Sequence, residues 1–243
     1  MTVLPELSLR GRRALVTGAS RGIGLAIARA LAARGAAVAL MARSADAVRA
    51  HATALGPQAH ALPCDLSDAD AVARAARQAV EQLGGEVEVL VSNAGLFRLA
   101  RVEDAEPADV RATLETNLLA PFLLLRMLLP AMRRAGTGHV VTIGSIADRA
   151  AFPENGAYAA SKFGARALHQ VVREELRGSG VRATLVSPGP TDTELWDAID
   201  PDARPGFTPR AAMLPADAVA DAVVWALTRP MRVNVDELRL TPA

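Results

Sequence analysis

Residues 13–35 read RALVTGASRGIGLAIARALAARG, and this stretch decides the fold. Residues 13–17 form a short, largely apolar run that predicts a buried strand. A glycine-rich turn follows over 17–24, and an apolar pattern with helical spacing then runs to Gly35. Strand, glycine turn and helix in this order are typical of a dinucleotide site. The reason is that the helix N-terminus offers free N–H groups and a positive dipole end to phosphates.

The glycine turn supplies the first candidate cofactor contacts. Gly18 permits a tight turn, Gly22 lets the backbone approach a pyrophosphate, and Gly24 allows the helix to pack closely. A plain tight turn is the alternative for a glycine pattern taken alone. The position of the turn between the first strand and the first helix favours the cofactor interpretation. The expected contacts are Gly18, Ser20, Arg21, Gly22, Ile23 and Gly24.

The rest of the chain alternates between strand and helix patterns. Further strands are predicted at 36–41, 58–63, 87–91, 138–144, 181–187 and 236–240, with helices at 44–55, 69–83, 107–134, 158–177 and 215–227. This order predicts an α/β fold: a doubly wound, Rossmann-type parallel sheet of about seven strands, helices on both faces and a single domain over 1–243. We expect a cofactor-binding half at about 10–100 and a catalytic and substrate half at about 101–243. The second half would include a mobile, proline-containing flap at about 193–213.

Composition and charge limit the class of protein. Hydrophobic residues make up 51% and aromatic residues only 3%, so the core must consist of Ala, Val and Leu. A net charge of +1 gives no electrostatic reason to expect nucleic acid or an acidic membrane surface. The single cysteine, Cys64, excludes an internal disulfide and a site built on several cysteines, and we expect no metal.

Two further observations concern membranes. The first twelve residues lack the apolar core of a signal peptide, and the apolar run 118–129 is interrupted by Pro121 and Arg126. We judge that run too short to span a bilayer. The expectation is a cytoplasmic protein with no membrane contact.

A second informative stretch, 144–162, holds the only tyrosine of the chain, Tyr158, and its only lysine, Lys162. Lysine is needed where a compact ammonium must lie near another titrating group, since a guanidinium stays charged and brings a planar fork. A spacing of four puts both side chains on one helix face. The ammonium is expected to lower the pKa of Tyr158 and so prepare it for proton transfer. A solvated helix face is the alternative.

The end of the second predicted strand bears on the choice of cofactor. An acidic residue there would hold a ribose 2′-hydroxyl, but Ala42 and then Arg43 occupy the place. Arg43, with Arg21 from the glycine turn, would attract a 2′-phosphate. These residues favour NADP(H) over NAD(H). The alternative is that both arginines are solvated surface residues.

Three further polar residues are candidates for the site. Two of them follow the carboxyl ends of predicted strands, where parallel sheets bind ligands, and the third lies among apolar residues. Asp65, followed by Leu66, is placed to accept a hydrogen bond from an adenine amino group, and Ser145 lies at the carboxyl end of a strand. Asn117 is polar within an apolar helix. It is either functional or bonded to nearby backbone.

With these motifs the sequence resembles the short-chain dehydrogenase/reductase superfamily over nearly the whole chain. The turn 17–24 is similar to its cofactor-binding turn, and SNAG at 92–95 looks like its N-N-A-G motif with serine in the first place. The order and spacing of its catalytic tetrad are matched by Asn117, Ser145, Tyr158 and Lys162. Further cofactor contacts implied by the resemblance are Asn93, Ala94, Gly95, Tyr158, Lys162, Pro188, Gly189, Thr191 and Thr193. Thr191 stands where the family commonly has Val or Ile.

The resemblance implies a mechanism and an assembly. Ser145 and Tyr158 would hold a carbonyl oxygen, and Tyr158 would donate the proton while NADPH delivers hydride. Lys162 would hold the nicotinamide ribose, and Asn117 would position a water for proton return. A homo-oligomer, a tetramer or a dimer, is expected.

The substrate stays open among small ketones, aldehydes, 3-hydroxy acids and 3-oxoacyl chains on an acyl carrier protein. A non-catalytic, NADP-binding sensor or scaffold is the alternative from another class, although such a protein has no need of Tyr158 and Lys162. For Arg149 and Arg210, which could meet a substrate carboxylate, a solvated arginine is the favoured interpretation. An apolar pocket is expected from Leu96, Phe97, Phe152, Trp196, Phe207 and Met213.

Overall fold

Nine strands form two sheets in the computed structural model, which describes residues 8–243. In chain order they are β1 Arg13–Thr17, β2 Ala37–Ala42, β3 Ala59–Pro63, β4 Val89–Ser92, β5 Gly138–Ile143, β6 Val181–Pro188, β7 Thr191–Asp192, β8 Leu214–Pro215 and β9 Glu237–Leu240. Seven of them form a parallel sheet in the order β3-β2-β1-β4-β5-β6-β9, whereas β7 and β8 pair separately. The prediction that the first twelve residues contain no signal peptide falls mostly on residues 1–7, which lie outside the described residues.

Helices cover both faces of the main sheet. They are α1 Gly22–Ala32, α2 Ala45–Leu55, α3 Ala69–Gln82, α4 Pro107–Leu114, α5 Ala120–Ala135, α6 Gly156–Glu175 and α7 Ala216–Leu227. Along β2, Val38 and Leu40 join the cluster of α1, α2 and α7, while Met41 joins that of α3, α5 and α6. Because alternate side chains point to opposite faces, this strand is buried on both sides. The predicted doubly wound sheet is confirmed.

The core is aliphatic, as the composition predicts. Among the buried residues of 8–243 there is no Phe, Trp or Tyr. Small and branched side chains let the helices pack closely on the sheet. α1 starts in close contact with the turn after β1, because a Cβ at Gly24 would lie 2.2 Å from the carbonyl oxygen of Gly18.

The predicted helix 107–134 differs from the observed one in its middle. A π-helical turn, Glu115–Leu119, joins α4 to α5 and carries Asn117. Such turns insert one residue into the helix and often occur at functional sites. Nothing in the apolar spacing marks this insertion, so the sequence pattern predicted a plain helix.

The expected interruption of the apolar run at Pro121 is wrong. Pro121 follows directly on the π-helical turn, and the helical run Pro107–Ala135 continues through it for 29 residues. An 18-residue window of this run has a mean hydropathy of 1.3, so the run could cross a bilayer by length and composition alone. Leu124 and Leu128 of this run are buried against the sheet, so it serves here as a core helix.

The segment predicted to be a mobile flap is tied at its base. β7 and β8 pair on either side of it, and Arg210 binds Asp192 at 2.9 Å and Asp197 at 2.5 Å. These contacts hold the two ends of the flap together. The part of the flap between these two ends lies at the carboxyl ends of the strands.

Two buried histidines should make the fold sensitive to acid. His139 bonds Thr184 at 2.7 Å and His169 bonds Thr142 at 2.9 Å. Burial, aided by nearby arginine charges, lowers the pKa of His139 to about 3 and that of His169 to about 4. Both are therefore neutral in the folded protein, whereas the unfolded chain takes up protons below about pH 6.5.

Stability should therefore be complete above pH 6.5 and should decline as the pH falls toward 4. At pH 5 each histidine should cost about 2 kcal/mol of unfolding free energy. Urea unfolding at pH 7.5 and pH 5 measures this loss. His139→Gln should reduce the difference between the two pH values, and an unchanged difference would contradict the assignment.

Candidate active site

The glycine turn between β1 and α1 is fixed to the end of β4. Gly18 has a φ of +67°, which favours glycine, and a Cβ there would lie 2.8 Å from the Cα of Ala94. The Asn93 carboxamide donates to the Thr17 carbonyl at 2.9 Å, and the Thr17 hydroxyl accepts from the amides of Asn93 and Ala94 at 3.0 Å. The side chain of Asn93, predicted as a cofactor contact, is therefore used to hold the turn.

The N-terminus of α1 is suited to a phosphate. Arg21 is its N-cap residue and makes no side-chain capping bond, and the first turn contains no acidic residue. Its N–H groups and positive dipole end are therefore not neutralised by a side chain of the helix itself. This arrangement fits the pyrophosphate of a dinucleotide.

Ser145, Tyr158 and Lys162 converge beyond the carboxyl end of β5. Ser145 begins the 3₁₀ turn Ile146–Asp148, where its hydroxyl accepts from the Ala147 amide at 3.1 Å and lies near enough to the Tyr158 side chain to affect its pKa. Tyr158 and Lys162 occupy successive turns of α6. The Lys162 ammonium donates to the carbonyl of Ile143 at 2.9 Å, 5.6 Å from the centre of the Tyr158 ring.

The expected lowering of the Tyr158 pKa is not seen in the protein alone. Burial, with a smaller contribution from the Asp148 carboxylate, raises it to about 12, although the Ser145 hydroxyl opposes the rise. Burial also lowers the pKa of Lys162 to about 8. The physical reason is that desolvation of both groups outweighs their mutual attraction, since the ammonium is turned toward the Ile143 carbonyl.

Asn117 is held by three hydrogen bonds. Its Oδ1 accepts from the Leu96 amide at 2.7 Å, and its Nδ2 donates to the Leu96 carbonyl and the Ser161 hydroxyl, both at 2.9 Å. A Cβ at Gly95 would lie 3.6 Å from Asn117 Oδ1 and 3.9 Å from Lys162 Nζ. Glycine at this position leaves the space between the two side chains open.

The sequence reading missed a buried acid behind Ser145. Asp148 accepts from the Ser145 amide at 3.2 Å, from the Ser187 hydroxyl at 2.5 Å and from Arg149 at 2.7 Å. Arg149 also pairs with Glu237 of β9. The network ties the serine turn to the edge strand. The pattern Ser-x-x-Asp, which forms a capping box here, was the available signal.

A cavity of about 980 Å³ runs along the carboxyl ends of the strands. It contains every predicted site residue except Gly24 and Asn117, which pack just outside it. The predicted residues that line it are Gly18, Ser20, Arg21, Gly22, Ile23, Arg43, Asp65, Leu66, Asn93, Ala94, Gly95, Ser145, Tyr158, Lys162, Pro188, Gly189, Thr191 and Thr193.

One end of the cavity carries the residues predicted to select the cofactor. Arg21 and Arg43 are exposed there, and neither has a carboxylate partner among residues 8–243. Ala42, the last residue of β2, lines the cavity beside Arg43. Asp65 accepts from the amide and hydroxyl of Ser67, which lower its pKa. Its carboxylate stays ionised and can still accept from a further donor.

The opposite end is aromatic and apolar, as expected, with two corrections. Met213 is buried away from the cavity lining. Arg149 and Arg210 are not in the lining: Arg149 is half-buried and paired with Asp148 and Glu237, whereas Arg210 lies at the surface, paired with Asp192 and Asp197. The predicted residues that do line this end are Leu96, Phe97, Phe152, Trp196 and Phe207.

Residues 12–204 match the model of the short chain dehydrogenase family. The chain belongs to this family. It is an NAD(P)-dependent oxidoreductase. Among residues 8–243, no group of three or more His, Cys, Asp or Glu side chains is placed to share a metal ion.

Several proteins of similar sequence are named as dehydrogenases or reductases. It is 38% identical to a D-threitol dehydrogenase of Mycolicibacterium smegmatis, over 93% of this chain and 91% of the relative. It is 34% identical to the 3-oxoacyl-acyl-carrier-protein reductase of Escherichia coli, over 90% and 91%. It also matches, at 36% identity, a glycine betaine reductase of Emericella nidulans, of which it spans only 19%.

Solved structures of similar shape contain NADP. A metagenomic short-chain oxidoreductase in complex with NADP is 36% identical, with a TM-score of 0.83 over 97% of this chain and 98% of the other. A gluconate 5-dehydrogenase of Burkholderia cenocepacia, in complex with NADP and tartrate, is 29% identical, with a TM-score of 0.87 over 98% and 96%. These structures support a nicotinamide cofactor for the present chain.

Proposed function

We propose that the protein reduces a ketone or aldehyde to an alcohol, or runs the reverse reaction, with Tyr158 as the proton donor or acceptor. The observation that carries the proposal is the convergence of Ser145, Tyr158 and Lys162 at one cavity that also contains a phosphate-binding turn. A panel of carbonyls and alcohols, followed by NADPH absorbance, tests it. Absence of turnover with the whole panel would favour the non-catalytic alternative.

Ser145, Tyr158 and Lys162 would each have a different role at the reacting carbonyl. The nicotinamide ring supplies or accepts the hydride when the cofactor is bound. Ser145 and Tyr158, which line the cavity together, would both hold the carbonyl oxygen, and Tyr158 would give it the proton. In the alcohol-oxidising direction the Tyr158 phenolate would be the base. Lys162 would leave the Ile143 carbonyl in part to contact the nicotinamide ribose and to favour that phenolate.

Proton return would use the open space beside Gly95. A water there could lie within reach of both Asn117 and Lys162. The π-helical turn and the bonds to Leu96 and Ser161 orient Asn117 for this role. Asn117 would therefore be a positioning residue that connects Lys162 with solvent.

We also propose that NADP(H) is preferred over NAD(H), through Arg21 and Arg43. Residues 10–100 would form most of the cofactor-binding half and 101–243 the catalytic and substrate half, with 188–193 contacting the nicotinamide side.

A 3-oxoacyl chain on an acyl carrier protein remains a substrate candidate to be included in the panel. The cytoplasm remains the predicted location, which fractionation of producing cells tests.

The exposed helix faces support an oligomer. Leu119 and Phe122 of the π turn and α5, with Phe163 and Val171 of α6, are 45–54% exposed. The two helical segments touch, since a Cβ at Gly164 would lie 2.9 Å from Leu118. A second set, Trp225, Met231 and Val233, is exposed on and after α7. If each patch forms an interface with another subunit, the two interfaces give a tetramer. If only one of the patches forms an interface, the assembly is a dimer.

Adding charge to the first patch should therefore reduce the assembly. Phe122→Glu combined with Phe163→Glu should convert a tetramer to dimers, or a dimer to monomers, because each carboxylate would lose its hydration at the interface. Light scattering at micromolar concentration measures the mass. Ala50→Glu, an exposed charge on α2, is the control and should leave the mass unchanged. A monomeric wild-type protein would exclude the oligomer.

A further inference from the structure

The few aromatic residues of this chain are concentrated at the cavity. There are eight: five Phe, two Trp and one Tyr. Three of them lie outside the cavity, exposed at 44–50%: Phe122, Phe163 and Trp225. The remaining five line the cavity: Phe97, Phe152, Tyr158, Trp196 and Phe207. Since the described core is built without Phe, Trp or Tyr, packing of the fold does not account for this concentration.

Four of the rings form a continuous chain of edge-to-face contacts that begins at the proposed proton donor. Phe97 lies 4.7 Å from Tyr158 at an angle of 62°, and Trp196 lies 5.3 Å from Phe97 at 76°. Phe207 extends the chain, 6.1 Å from Trp196 at 82°. A flat group placed beside Tyr158 would meet ring edges and faces in the geometry that aromatic pairs prefer.

Hydrogen bonds and ion pairs fix the outer rings of this wall. The Trp196 indole N–H donates to the Thr191 carbonyl at 3.0 Å. Arg204 lies 5.2 Å above the Phe207 ring and binds Glu154 at 2.9 Å, which connects the flap with the loop before α6. The rings are thus held in place before a substrate binds, which reduces the ordering cost of binding.

Charge at this end of the cavity disfavours an anionic substrate. The basic side chains that line the cavity are Arg21 and Arg43, at the cofactor end, and Lys162, which donates to the Ile143 carbonyl. Near the aromatic wall the lining contains Glu154, and its carboxylate is already paired with Arg204 beside Phe207. A substrate carboxylate or phosphate would therefore lose its hydration without meeting an unpaired basic side chain in the lining at this end.

We infer that the substrate is an uncharged ketone or secondary alcohol whose reacting carbon carries an aryl or similarly flat apolar group. The inference rests on the proposed function and specifies its substrate class. It differs from what the names of two relatives state, D-threitol and gluconate, which are a polyol and a sugar acid. Those molecules need many polar contacts or a cation, whereas the wall described above offers ring surfaces.

A matched set of ketones tests the inference in wild-type protein with NADPH. Acetophenone and cyclohexyl methyl ketone have the same carbon skeleton but differ in ring flatness, whereas phenylglyoxylate adds a carboxylate and erythrulose is a polar ketose. We expect acetophenone to have the highest kcat/KM of the four, by about tenfold over cyclohexyl methyl ketone. A preference for erythrulose or phenylglyoxylate would overturn the inference while the proposed carbonyl reduction would stand.

Binding gives a second readout that does not depend on turnover, because conjugation makes the aryl ketone intrinsically less reactive. Calorimetric titration of the Tyr158→Phe protein with NADPH present should give a Kd about tenfold lower for acetophenone than for cyclohexyl methyl ketone. Equal Kd values, or no binding of acetophenone, would overturn the inference even if no ketone were reduced. Absence of hydride transfer with every carbonyl would instead overturn the proposed function.

Variants of the wall locate the preference. Phe97→Leu and, separately, Trp196→Leu should each reduce the advantage of acetophenone at least threefold, as expected from the loss of one aromatic pair. Phe122→Leu makes the same kind of change at an exposed position of α5 and should leave the advantage unchanged. An advantage that survives in both wall variants would contradict the assignment of the substrate to this end of the cavity.

Discussion

Replacing Tyr158 with Phe should abolish carbonyl reduction while leaving the affinity for the cofactor nearly intact. The substitution removes one hydroxyl and keeps the ring that contacts Phe97 at 4.7 Å. Proton transfer by a positioned side chain contributes roughly 10²–10⁴-fold to a rate, and no other tyrosine is present to replace it. We therefore expect kcat to fall at least 10²-fold. The measurement pairs steady-state kinetics with calorimetric titration of NADPH.

Lys162→Ala provides the contrasting variant. Its ammonium is assigned both to the cofactor ribose and to the phenolate, so affinity for NADPH and kcat should both fall. The loss of a charged hydrogen bond corresponds to roughly 10- to 100-fold in affinity. Near-normal turnover of Tyr158→Phe would exclude the proposed proton donor. Unchanged NADPH affinity in Lys162→Ala would exclude only the ribose contact.

The second large effect concerns the choice between NADPH and NADH. Each guanidinium that meets a 2′-phosphate makes a charge-assisted bond, and Arg21 and Arg43 come from adjacent turns at one end of the cavity. Ala42 contributes no carboxylate that would repel a phosphate. Together these features should give on the order of 2–4 kcal/mol of preference, or tens to a thousandfold in kcat/KM.

The preference should also be reversible by substitution. Ala42→Asp combined with Arg43→Gln should shift the preference toward NADH and weaken the salt dependence of NADPH binding, because fewer charges meet the phosphate. Arg49→Gln removes a neighbouring arginine of α2 that lies outside this cavity, and it should change neither property. Equal wild-type kcat/KM values for the two cofactors would show that both arginines are only surface charges.

Local signals predicted the cofactor half of the fold well. The strand, glycine turn and helix at 13–35 appear as β1 and α1, and Asp68 caps α3 by accepting from the amides of Asp70 and Ala71. These features depend on residues close together in the chain, such as a glycine with positive φ or a capping carboxylate. For the same reason the order of the elements was sufficient to predict the parallel sheet.

What the sequence did not predict depends on contacts between distant residues. Burial raises the pKa of Tyr158, and the Lys162 ammonium donates to the Ile143 carbonyl; a spacing of four in the sequence specifies neither. The pairing of Arg149 with Glu237 joins residues 88 positions apart. The π turn carries Asn117, whose partners Leu96 and Ser161 are 21 and 44 positions away in the chain. Such contacts override local pattern.

The most direct test of the account is the transfer of a deuterium label. Wild-type protein is incubated with NADPH deuterated at the transferable position and with an aryl ketone, and the product is analysed by mass spectrometry. The account predicts an alcohol with one deuterium on the carbinol carbon, and almost none from the Tyr158→Phe protein over the same time. Consumption of NADPH without labelled alcohol, or equal labelling by the two proteins, would contradict it.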